Sequence, residues 1–361
     1  MEVLFVIGSN GSGQLGIGHK EDVSVPKQVL FHPEQPKSPI AKVAAGGNHT
    51  LLLTESGDVY WSGDNTSGAC GIGPVADVPV FLQIQLSKDD AQIGHIALIT
   101  ATWEASFIVA KDANGKKTKL YSLGIGNKGE LGVGQLIIRT PTATQFKDFP
   151  PPDTEIVDIS GAMGHVVVVL SNGDAYGWGN CRKGQAGPPG EVIHSPRKIP
   201  DVGFKVTRAA CAKESTALFG EPSSGEVKVL GSDKWKLTTD APSKLKPWKD
   251  VGASWGNVYV LGQDGSLLGW GRDDHGQLPP PNLPALEKIA IGSEHVVALT
   301  GAGEVLSWGW GEHGNCGPKT ENNDVKGLWN VIASSKYIPP DSQIANIGAG
   351  CATSWIYITQ R

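Results

Sequence analysis

Apolar runs along this chain are short, and each is closed by a polar, glycine-marked turn. The clearest unit is 43–73, VAAGGNHTLLLTESGDVYWSGDNTSGACGIG. It has a corner of small residues (Ala45-Gly46-Gly47), an apolar run from His49 to Thr54, a tight turn at Ser56-Gly57, a second apolar run and a polar loop with further glycines. It recurs at 289–318, less clearly at 156–187 and 251–279, and in degenerate form at 96–134 and 206–237. Asn172-Gly173, Asp264-Gly265 and Ala302-Gly303 repeat the hairpin signal between apolar flanks. No segment sustains a helical apolar period, so the pattern predicts strands throughout.

A seventh copy is divided between the ends. The chain opens with the second half of a unit, VLFVIGSNGSGQLGIG, and closes with a first half, IANIGAGCATSWIYI at 344–358. Joined, residues 1–18 and 344–361 make one blade and close a ring, which protects strand edges that an open array would expose. Hairpins this short cannot bury a face alone and need neighbours on both sides. The expected fold is all-β: a single seven-bladed β-propeller over 1–361, with one blade closed by N- and C-terminal strands.

Composition narrows the function. Of 361 residues, 48 are Gly and 24 Pro, dispersed rather than clustered, and 11 are Trp, which argues against disorder. The net charge is −5 and no basic block stands out, so a phosphate-backbone footprint is not expected. Five separated cysteines fit free thiols in a reducing compartment. No run reaches the length of a membrane span. The start, MEVLFVIGSNG, runs straight into a strand-like stretch without the features of a signal peptide. A cytosolic protein is expected, with the nucleus as the second compartment.

Motifs for chemistry are missing. There is no GxSxG elbow, no Walker loop and no HExxH helix. Gly8-Ser-Asn-Gly-Ser-Gly lacks the following Lys and Ser/Thr of a phosphate loop. His313-x-x-Cys316 is the nearest approach to a metal half-site and has no paired partner. The acidic pairs Asp89-Asp90 and Asp273-Asp274 read as loop residues. No catalytic site, metal or cofactor is expected.

The pattern Ala-Ala-Gly-x-x-His-Thr, hairpin, Trp-Gly-x-Asn-x-x-Gly-Gln-Leu-Gly resembles the repeat of the regulator of chromosome condensation superfamily and covers nearly the whole chain. That resemblance implies a seven-bladed propeller. Trp308 to Pro318 (WGWGEHGNCGP), Gly350 to Ile356 (GCATSWI), Gly8-Ser-Asn-Gly11 and Gly46-Gly-Asn-His49 are similar to a narrower group, the fungal killer-toxin-insensitivity proteins, also called alpha-tubulin suppressors. This second resemblance implies a heterodimer with a small CSL-type zinc-finger electron carrier. Through that partner it implies support of diphthamide biosynthesis and of Elongator-dependent wobble-uridine modification of tRNA.

Departures from the repeat mark candidate contact residues. After Trp308-Gly309 the repeat usually has a short polar residue and Asn; here stand Trp310 and Gly311, then Glu312, His313, Gly314 and Asn315. A tryptophan in a polar loop either meets a partner or packs on the next blade. Trp103 and Trp255 occupy corner positions, and Trp355 follows a Thr-like position in the split blade; each could line the ring mouth or fill a gap between blades. The expected partner site has Trp310, Glu312, His313 and Asn315 at its centre and Trp103, Trp255, Trp355, Asn48 and His49 around it. For His49, a hydrogen bond to the neighbouring blade is the alternative role. The Lys-rich stretch 222–247, with Trp235 and the adjoining Trp248, reads as a solvated face, and 319–343 as a long interblade loop. The expected function is a non-catalytic adaptor. A guanine-nucleotide exchange factor for a small GTPase and a microtubule-related effector are the rival readings.

Overall fold

In the computed structural model, which describes residues 2–71, 77–84 and 93–360, seven sheets, antiparallel but for one short edge strand, form a closed ring. The Asp89-Asp90 pair lies outside the described residues. Blade 1 contains Ile40–Ala45, His49–Thr54, Val59–Gly63 and Val78–Gln83, with the short Phe31–His32 added at its edge in parallel. Blades 2 and 3 have four strands each, blades 4 and 5 three, and blade 6 four. Among the described residues no α-helix occurs; Ser335–Tyr337 is a single 3-10 turn.

Blade 7 joins the chain ends. Glu2–Gly8 pairs antiparallel with Thr353–Gln360 in unbroken register, from Glu2 opposite Thr359 to Gly8 opposite Thr353. Val23–Gln28 and Ser342–Ala349 complete that sheet. The protein is therefore an all-β seven-bladed propeller, as its repeats predict.

The core lies between blades rather than in one centre. Each middle strand has neighbours over both faces, so its side chains are buried whichever way they point: His49–Thr54, His165–Leu170 and His295–Thr300 are buried throughout. This explains their unbroken apolar runs. Repeat tryptophans reach back to the preceding blade. Trp178 Nε1 donates to Glu130 O at 2.9 Å, Trp270 Nε1 to Leu237 O at 2.9 Å and Trp308 Nε1 to Gln277 O at 3.2 Å. Corner histidines reach forward. The Nε2 atoms of His49, His165 and His295 hydrogen-bond the hydroxyls of Ser106, Thr216 and Ser354 at 3.0, 2.9 and 3.0 Å.

Two sequence readings change here. The stretch 319–343 is no loop: Asp324–Ser334 is the long outer strand of blade 6, paired with Glu304–Trp310 through two register shifts. Its irregular pairing hides the strand period from the sequence. The 222–247 region is only partly a solvated face, because Leu237 and Leu245 are buried in the core together with the adjoining Trp248, whose ring lies 5.9 Å from that of Phe219.

Candidate partner-binding site

One mouth of the ring is laced by backbone hydrogen bonds between corners of successive blades. Gly47 N donates to Trp103 O, Trp103 N to Met163 O, Lys213 N to Trp255 O, Trp255 N to Ser293 O and Ser293 N to Gly350 O. These bonds hold the corner residues in one register around the axis. Trp103 and Trp255 come from blades 2 and 5, on opposite sides of the ring, yet their rings meet with centroids 6.0 Å apart. They lie over the central channel. Gly47 makes room for this, since a Cβ there would stand 2.5 Å from Trp103 Cε2.

Beside this pair is a cleft of about 330 Å³, lined by Asn48, Trp103, Trp255, Trp310, Glu312, His313 and Asn315 among others. Trp310 is half-buried, and Asn48, Glu312 and His313 are exposed. The Trp310 ring lies flat on the His275 imidazole of blade 5, with centroids 4.7 Å apart and planes 8° off parallel. His275 Nδ1 is in turn bonded to Asp324 Oδ1 of blade 6 at 2.9 Å. His313 Nδ1 meets Asp22 Oδ2 at 2.8 Å across the next blade junction. The two histidines thus brace the Trp310 loop from both sides.

Three of the expected site residues have other roles. Trp355 is fully buried, edge-on to Phe81 at 6.0 Å, and its Nε1 donates to Thr353 Oγ1. It sits in a middle strand covered on both faces, not in a corner, so it cannot meet a partner. His49 is buried in its bond to Ser106, and burial pushes its pKa down to about 4, so it stays neutral and structural. Asn315 reaches the cleft only as part of its wall: its exposure is 1%, and its Nδ2 donates to Trp310 O at 2.8 Å.

Sequence reasoning missed His275 as the plate under Trp310. Its signal was present, because His275 and His313 hold the same loop register in adjacent blades. Cys351 and Glu294 were also missed as cleft residues. Burial pushes the Cys351 thiol up, which disfavours the thiolate. Glu294 is buried but paired, at 2.6 Å from Arg272 Nη1 and 2.9 Å from Gln277 Nε2. His313 and Cys316 do not converge on a metal: Cys316 is buried in the core while His313 faces Asp22. Farther round the mouth, a second groove of about 420 Å³ carries Lys128, Arg182, Lys183 and Lys213 among three glutamates.

A family model described as the RCC1-like domain matches residues 3–356. The chain belongs to the RCC1-like family. An RCC1 repeat-containing protein of Schizosaccharomyces pombe is 32% identical over 99% of both chains. The secretion-regulating guanine nucleotide exchange factor of Mus musculus is 26% identical over 98% of this RCC1-like chain and 82% of its own length. Among solved structures, Prp20p of Saccharomyces cerevisiae superposes with a TM-score of 0.80 at 21% identity, covering 100% of this chain and 92% of that one. Human WBSCR16 also scores 0.80, at 16% identity, covering 100% and 99%. These two structures match this propeller in fold.

Proposed function

We propose that this RCC1-like propeller is a protein-binding adaptor whose tryptophan-bearing mouth docks a small partner protein. The observation that carries the reading is the meeting of Trp103, Trp255 and Trp310 in one partly open cleft, from three separate blades. Water-exposed tryptophan surface is costly in a free monomer and is the commonest anchor of a binding hot spot. The narrower sequence resemblance supplies the partner class: a CSL-type zinc-finger electron carrier, acting in diphthamide biosynthesis and Elongator-dependent tRNA modification. In this reading the redox chemistry belongs to the partner's metal, and the propeller orients or shields it.

The test is calorimetric titration of the purified chain with a CSL-type zinc-finger protein. Trp310→Ala should weaken the complex by about 2 kcal/mol or more, the range of a hot-spot truncation. Unchanged affinity would remove the cleft from the interface. A second reading, exchange of guanine nucleotide on a small GTPase, is favoured by the mouse relative, whose match spans nearly the whole chain. Stimulated nucleotide release from a Ran-type GTPase would support it.

A further inference from the structure

The Trp310 loop lacks an internal hydrogen bond that four of its six counterparts make; in blades 1 and 4 the position holds Ala69 and Leu237, which cannot make it. In blade 7, Gln14 Oε1 accepts from the backbone N of Ser12 at 2.9 Å. Gln185 in blade 3 does the same for Lys183 N, and Gln277 in blade 5 for His275 N, each at 2.9 Å. In blade 2 a glutamate substitutes, Glu130 Oε2 accepting from Lys128 N. Strand register puts Asn315 at this position in blade 6. Asn315 is one methylene shorter, and its Oδ1 is buried with no hydrogen-bond partner. A buried acceptor without a donor is unfavourable and rare in folded proteins. This one belongs to the wall of the cleft.

The other groups of the cleft point to the same kind of visitor. The Glu312 carboxylate is exposed and makes no hydrogen bond or ion pair among the described residues. No lysine or arginine lines the cleft, and the charge of Glu294 is already matched by Arg272. The aromatic wall accepts cations, as this chain shows by itself: Lys213 Nζ stands 5.2 Å from the centroid of a Trp255 ring. Tryptophan faces and a free carboxylate together suit an ammonium or guanidinium group.

We propose that the cleft receives one basic side chain, a lysine or arginine projecting from the docked protein. Its cation faces the Trp103, Trp255 and Trp310 rings and pairs with Glu312, against the wall in which Asn315 Oδ1 is sealed. The proposal rests on the reading of this mouth as the partner surface and adds the chemistry of the group it holds.

The experiment follows the tryptophan indole N–H signals of the full chain by NMR during titration with the blocked amides of lysine, arginine and norleucine. Lysine or arginine amide should give saturable shifts of the Trp103, Trp255 and Trp310 signals. Norleucine amide, which lacks the charge, should bind about tenfold more weakly, and Glu312→Gln should weaken the cationic probes by a similar factor. Equal binding of norleucine, indifference to Glu312→Gln, or no saturable shift overturns the proposal. Titration of a CSL-type zinc-finger protein in parallel separates the two ideas. A complex lost in Trp310→Ala but untouched by Glu312→Gln keeps the docking surface and discards the cation. A complex untouched by Trp310→Ala discards that surface as the partner site.

Discussion

Acidification from pH 7 to pH 5 should loosen three blade junctions together. His49, His165 and His295 each join one blade to the next through a single Nε2–hydroxyl bond, and burial pushes all three down to about 4 from an ordinary 6.5. Nothing can take up a second proton cheaply there, since Nδ1 of both His165 and His295 has no partner. With the folded pKa depressed, the unfolded chain binds more protons between pH 6.5 and 4. Stability is therefore full above about 6.5 and is lost as the pH falls through this window. At pH 5 each site costs about 2 kcal/mol, and the three together about 6 kcal/mol. Total stabilities of domains run about 5–15 kcal/mol, so the loss is large.

Urea unfolding followed by tryptophan fluorescence at pH 7, 6 and 5 measures it. The control is His165→Asn, because blade 5 already has Asn257 in that register, opposite Gly271 as His165 is opposite Gly179. The variant should lose about a third of the pH dependence, roughly 2 kcal/mol between pH 7 and 5. A wild-type loss under about 1 kcal/mol, or a dependence that His165→Asn leaves intact, would refute the argument from burial.

Three further outcomes are expected. Trp355→Ala should destabilise the fold by about 3–5 kcal/mol, as for a large core truncation, while Trp310→Ala should cost under about 1 kcal/mol; thermal melts of the two variants will show whether core and cleft are correctly assigned. Gly47→Ala should push the Trp103 ring off the axis, because the added Cβ would stand 2.5 Å from it. The readout is a changed Trp103 indole signal, and an unchanged signal would mean that the corner yields instead. Removing residues 1–8 deletes the strand that pairs with Thr353–Gln360 and should give a broad, non-cooperative melt with aggregation; a sharp two-state melt would show that the ring stands without its clasp.

Much of the architecture could be read directly from the residues. Hairpin glycines, apolar runs and half-units at each end carry local and periodic information, and they specify seven sheets and the closing of the ring. The long outer strand Asp324–Ser334 was not readable, because register shifts at Val305/Leu306 and Ser307/Gly309 break its alternation. The candidate cleft was readable in part. Trp310, Trp103 and Trp255 stand out as departures from a repeat, but so does Trp355, and nothing in the sequence separates it from Trp103 and Trp255.

What the sequence determined by itself is the repeat: which residues turn, which extend, and that the two ends complete each other. Which tryptophans are free for a partner was decided only by the tertiary structure. A middle-strand side chain is covered by a neighbouring blade on either face, so Trp355 is sealed in. A corner side chain points over the channel, so Trp103 and Trp255 meet there from opposite blades. Trp310 finds its plate in His275, distant along the chain and adjacent only because the ring sets blade 5 beside blade 6. These contacts depend on distances between blades, which no local pattern of residues encodes.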